Sequence, residues 1–122
     1  MIRVAVTVFG IVMIVLVSSM SAQTAGDQFL WRCTGETLSK DAAAAGEIAC
    51  LSYLGGLLDA MSIQAELSPQ SRLLCLPAGG ISADQARRVV VKWLKEHPKD
   101  LHNPARTLVF SALREAFPCR GR

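Results

Sequence analysis

The 122-residue sequence predicts an all-α fold: a small domain of about four helices with two disulfides, behind an N-terminal signal peptide. Three observations predict it. Apolar residues recur at helical spacing through most of the chain after residue 26, and no stretch reads as a strand. Serines, an asparagine and prolines stand where helices should begin and stop. All four cysteines fall after an apolar leader, the pattern of an exported, disulfide-stapled domain.

The leader comes first. Arg3 supplies a positive charge, residues 4–17 form a 14-residue uncharged run, and Ser18, Ser19, Ser21 and Ala22 follow. This is the charged start, apolar middle and small-residue end of a secretory signal. The run falls short of the ~20 apolar residues a membrane helix needs. The expected division is a signal peptide at 1–25, cleaved between Ser21 and Ala25, and a helical domain at 26–122. An uncleaved anchor is the rival reading, and it is the chain's one expected contact with a membrane. Losing Arg3 lowers the formal charge from +3 to +2.

A short helix is expected over 27–33, behind Gly26, with a polar loop at 34–40. A long helix should run over 41–66, capped by Ser39 and favoured by the alanines at 42–45. Cys50, Leu54, Leu57, Met61 and Ala65 share one face, and Ser52, Gly56, Asp59 and Ile63 the other. Few charges occur along 48–65, which predicts a central, mostly buried helix. Gly55 and Gly56 each cost about 1 kcal/mol inside a helix, so a close neighbour is expected there. Either another helix of the same chain or a partner helix fits.

Residues 67–80 read as a loop, broken by Pro69, Pro77, Gly79 and Gly80 and tied down by Cys75. Ser82 and Gln85 then form a capping box for a helix that Pro98 stops near His97. Ala86, Val89, Val90, Trp93 and Leu94 make its apolar face; Arg88, Lys92 and Lys95 make a basic stripe opposite. The final helix should have Asn103 as N-cap and Pro104 in its first turn. Its apolar face comprises Ala105, Leu108, Val109, Ala112, Leu113, Ala116 and Phe117, up to Pro118.

Charge is unevenly spread. Residues 27–66 hold six acids and two bases, and residues 67–122 hold four acids and ten bases. These are either solvated faces or a dipolar surface that steers a charged partner. The basic stripe lacks interleaved aromatics, so no nucleic-acid partner is expected.

No catalytic constellation stands out, and no cofactor or metal is expected. His97 and His102 sit at helix boundaries, where binding orphan backbone groups is the ordinary role of a histidine. Asp59, the one acid amid the weakly charged stretch, is expected to be buried and paired with an arginine, with a partner contact or a catalytic role as the alternatives. A zinc site competes with disulfides for the cysteines, but Cys-x-x-Cys and Cys/His clusters are missing. The four cysteines alone allow three pairings.

Taken in order, the motifs match a known pattern: Gly26 and Cys33; Cys50-x-x-Tyr53-x-x-Gly56-x-x-Asp59-Ala60; Cys75-x-Pro77 with Ser82 and Gln85. Trp93-Leu94-Lys95-x-His97-Pro98, His102 and Ala112-Leu113-x-x-Ala116-Phe117-Pro118-Cys119 complete it. Together they resemble the Tai/Rap immunity proteins over nearly the whole domain. The resemblance implies a periplasmic helical protein, often a homodimer, that binds a peptidoglycan-cleaving amidase effector of type VI secretion and occludes its active site. It also implies the pairings Cys33 with Cys50 and Cys75 with Cys119, worth roughly 3 and 4 kcal/mol on a chain-entropy account. Tyr53, Gly56 and Asp59, with Pro77, His97, Pro98 and Pro118, are then expected as fold-defining positions. It assigns no partner-contacting residue; the 67–80 loop and the basic stripe are the candidate surfaces. A small periplasmic acid-stress chaperone is the alternative binder, and an envelope enzyme would require the histidines to meet Asp59.

Overall fold

The computed structural model describes residues 23–120; residues 1–22, most of the expected leader, lie outside them. Helix α1 (Gly26–Thr34) ends at Gly35, whose left-handed backbone (φ 69°) lets its N–H reach Trp31 O. Helix α2 (Lys40–Leu67) starts at Ser39, whose hydroxyl accepts the Ala42 N–H. Helix α3 (Ala83–Glu96) starts in the same way, with Ser82 Oγ accepting from Gln85 N–H. A 3-10 turn at Pro98–Asp100 then redirects the chain into α4 (Ala105–Ala116).

The start of α4 differs from expectation. Pro104, not Asn103, holds the cap position, in extended backbone and with no side-chain cap. The reason is a strand-like pairing of Ala25 with Pro104. Thr24 O accepts the Ala105 N–H at 2.9 Å, and Asn103 O accepts the Gly26 N–H at 3.0 Å. A donor that a cap would satisfy is thus met by the segment preceding α1.

Helices α1 and α3 occupy the middle: α1 packs on α2, α3 and α4, and α3 packs on α2 and α4. Leu54, Leu94, Leu113, Val90, Val109 and Cys50 are fully enclosed between them. Cys33 bonds to Cys50, joining α1 to α2 where both residues are buried. Cys75 bonds to Cys119, joining the loop after α2 to the segment after α4. The Cys75 N–H also donates to Phe117 O.

The long helix is not the buried centre. Only Gly46, Cys50, Leu54 and Leu58 of its 28 residues are buried. By length and composition α2 would pass for a membrane span; here its buried line is stapled and packed against its own chain. Its apolar residues are spread around the axis rather than gathered in a stripe, so one side suffices to reach the core. Ala116, expected on the core face of α4, is exposed as the chain turns toward Pro118.

The expected close neighbour at the glycine pair is also missing. A Cβ on Gly55 would lie 4.0 Å from Ala83 Cβ, and one on Gly56 would meet nothing. Within α2 the glycine that does permit close packing is Gly46, where a Cβ would stand 3.0 Å from Arg32 O. That approach lets α1 settle on α2.

Candidate functional site

The polar residues singled out in the sequence do not converge. His97 ends α3, its Nδ1 2.7 Å from Trp93 O and its ring stacked on Trp93 at 3.8 Å. That is the boundary role expected of it, and Pro98 follows as the first residue of the 3-10 turn. His102 is exposed. Asp59 is exposed too and joins none of the ion pairs among the described residues, so the buried Asp59–arginine pair expected from the sequence does not exist. Among the described residues no three His, Cys, Asp or Glu side chains gather as a metal site would require.

The expected fold-defining positions divide into two kinds. Tyr53 packs edge-on against Phe29, ring centres 5.2 Å apart, and locks α2 to α1. Pro77 opens the turn closed by Gly80 N–H to Pro77 O. Pro118 is exposed beside Cys119. A Cβ on Gly56 would meet nothing, and Asp59 is exposed; both stand with Ile48, Ser52 and Ile63 on the outer side of α2. Ile48 and Ile63 there are 67% and 57% exposed, so this side is an uncovered, weakly charged surface.

The basic stripe of α3 is a compensated one. Arg87 and Arg88 grip Asp84, whose carboxyl their hydrogen bonds hold below its ordinary range. Lys92 approaches Glu96 at 3.9 Å. Arg87 also reaches Glu47, and Lys95 reaches Glu36 at 2.7 Å. The last two contacts join the basic second half to the acidic first half. The charge asymmetry of the sequence is thereby partly spent inside the fold.

The 67–80 loop is anchored at its start and free at its tip. Gln64 Nε2 holds Ser71 O at 2.9 Å, and Leu74 is buried. Gly79 and Gly80 take φ of 86° and 75°, with open space around both. Leu67 and Leu73 stay exposed on either side of the 3-10 turn Pro69–Ser71.

A different basic feature lies across the molecule. A cleft of about 340 Å³ opens where the segment at 23–24, α1, α2 and the start of α4 meet. Phe29, Ala49, Cys50 and Ala105 give it an apolar floor, and Arg32, Tyr53 and Arg106 border it. Neither arginine makes an ion pair among the described residues. Burial pushes the Tyr53 phenol up from its ordinary value, against the pull of Arg106. Sequence reasoning passed over both arginines. Arg32 adjoins Cys33, but nothing in the spacing relates it to Arg106, 74 positions on. The Cys33–Cys50 bond, the Gly46 approach and the Ala25–Pro104 pairing bring them together.

Comparison with known proteins gives one finding. A family model described as Rap1a immunity proteins matches residues 25–119, from the Ala25 pairing to the last disulfide cysteine. No curated protein and no solved structure matches the chain.

Proposed function

The chain belongs to the Rap1a immunity protein family, and from that premise we propose that it binds a secreted peptidoglycan amidase effector and blocks the amidase active site. Family membership makes it an immunity protein with an effector protein as its partner, and, with the disulfides, an exported one. The finer reading names the amidase as target, active-site occlusion as mechanism and the periplasm as workplace, reached through a signal peptide cleaved at the early end of the 21–25 window, which leaves the Thr24 and Ala25 contacts to α4 in the exported domain.

The observation that carries the reading is the extent of the match, which covers residues 25–119 of the described 23–120. The structure is compatible with an inhibitor. Two disulfides and a four-helix core hold its surfaces rigid, which keeps the entropic cost of docking low. The tip of the 67–80 loop is the candidate for insertion into the effector's groove. The uncovered outer side of α2 supports a homodimer as a second part of the proposal, because Gly56 there offers room for close helix approach.

The test uses the oxidised protein, purified after export, as bait for secreted and envelope proteins. The expected result is a stoichiometric complex with one peptidoglycan amidase, and loss of that enzyme's muropeptide cleavage in the complex. Reduction of the disulfides should release it. Capture of many unrelated clients only in acid would replace this reading with that of a stress chaperone.

A further inference from the structure

We propose that the cleft bordered by Arg32, Tyr53 and Arg106 receives an acidic side chain, Asp or Glu, of the protein partner. The proposal rests on the reading above and names a contact within it.

The argument is one of charge complementarity. Nearly every base of the α3 stripe is answered by a carboxylate of its own chain. At the cleft two arginines line one concavity and no acidic residue lines it. Two like charges beside a shared apolar floor repel one another, and the floor weakens the screening that water would supply. An arriving carboxylate turns that arrangement favourable, because it can accept forked hydrogen bonds from arginine. The Tyr53 hydroxyl makes no hydrogen bond among the described residues and is free to donate a further one. A phenol is protonated at physiological pH and can donate.

Among the described residues no carboxylate lines the cleft. Residues 1–22, which precede the cleft wall at Gln23, contain no Asp or Glu. A two-fold contact that set two copies of the cleft face to face would oppose like charges. The cleft's volume suits one or two side chains. An effector carboxylate held there would be desolvated on the floor beside both arginines.

The experiment compares Arg32→Ala/Arg106→Ala with Arg88→Ala/Lys92→Ala, each purified after export and oxidised, against the captured amidase. The cleft variant should bind at least about tenfold more weakly, the ordinary result of truncating a desolvated charged anchor, with its melting temperature unchanged. The stripe variant should bind within about threefold of the parent, as rim charges do. Equal, small losses in both variants, with the parent binding tightly, would overturn the cleft and leave the immunity reading intact. Altered self-association of the cleft variant in sedimentation would assign the cleft to a second copy and overturn the proposal as well. Should the parent capture no amidase, the cleft is read by NMR with acetyl-Ala-Glu-Ala-amide against its Gln counterpart. Shifts of the Arg32 and Arg106 Nε–H signals with the Glu peptide alone support carboxylate recognition. Equal or absent shifts with both peptides overturn it.

Discussion

Helix α2 runs for 28 residues and buries four of them, whereas α4 runs for 12 and buries five. Length and apolar content together rank them the other way, since α2 is long and apolar enough to pass for a membrane span and α4, at 12 residues, is not. What decides burial is how narrowly the apolar residues are gathered. In α4, Ala105, Leu108, Val109, Ala112 and Leu113 lie on one stripe, and the stripe is wholly covered. In α2, Ile48, Ile63 and Leu67 lie opposite Cys50, Leu54 and Leu58, so only half can be covered by one small domain. The short helix is therefore a stability element, and the long one carries an uncovered surface.

Cutting into each helix should separate these roles most strongly. Leu113 is fully enclosed, and Leu113→Ala should cost about 4 kcal/mol, the lost transfer energy plus the cavity left behind. Ile63→Ala should change stability by less than about 0.5 kcal/mol, as exposed substitutions do. Denaturant unfolding of the oxidised protein measures both. A large cost at Ile63 would mean that a second molecule covers α2 under the conditions used.

The staple that holds α2 to the rest comes next. Replacing Cys33 and Cys50 together by Ala closes no loop of 17 residues, and should lower stability by about 3 kcal/mol. The loss should loosen α2 from α1 before it disturbs α4, because α4 is held by α1 and α3 and only weakly by α2. Amide exchange on the double variant would report this as faster exchange over 46–58 than over 105–113. Uniform acceleration along both helices would show that the two behave as a single cooperative unit.

Where the fold was readable in the sequence, local chemistry was sufficient. Ser39 and Ser82 mark the starts of α2 and α3, Pro98 marks a stop, and both stripes of α3 can be traced from spacing. Misreadings arose where a distant segment intervened. Asn103 looked like a cap because Thr24, which satisfies the start of α4, lies far away in sequence. Asp59 looked buried because its neighbours are apolar, but they belong to a helix side that nothing covers. The Arg32–Arg106 cleft was illegible for the same reason, being made by a disulfide, a close helix crossing and a strand-like pairing. Each of these is a tertiary event that leaves no periodic trace.

The smallest effects are the most discriminating, because they compare two glycines of the same helix. Gly46→Ala places a methyl group 3.0 Å from Arg32 O, a backbone atom that can move only if α1 moves. It should cost about 1–3 kcal/mol through overpacking, and shift the cleft arginine with it. Gly56→Ala meets no atom of its own chain. Alanine's better helix propensity should therefore stabilise the isolated protein by up to about 1 kcal/mol. A gain in thermal stability at low protein concentration, with weaker association at high concentration, would locate a helix-to-helix contact at Gly56. The same gain at every concentration would leave that side of α2 free of any second copy, and the exposed glycine would then have no packing role in the protein alone.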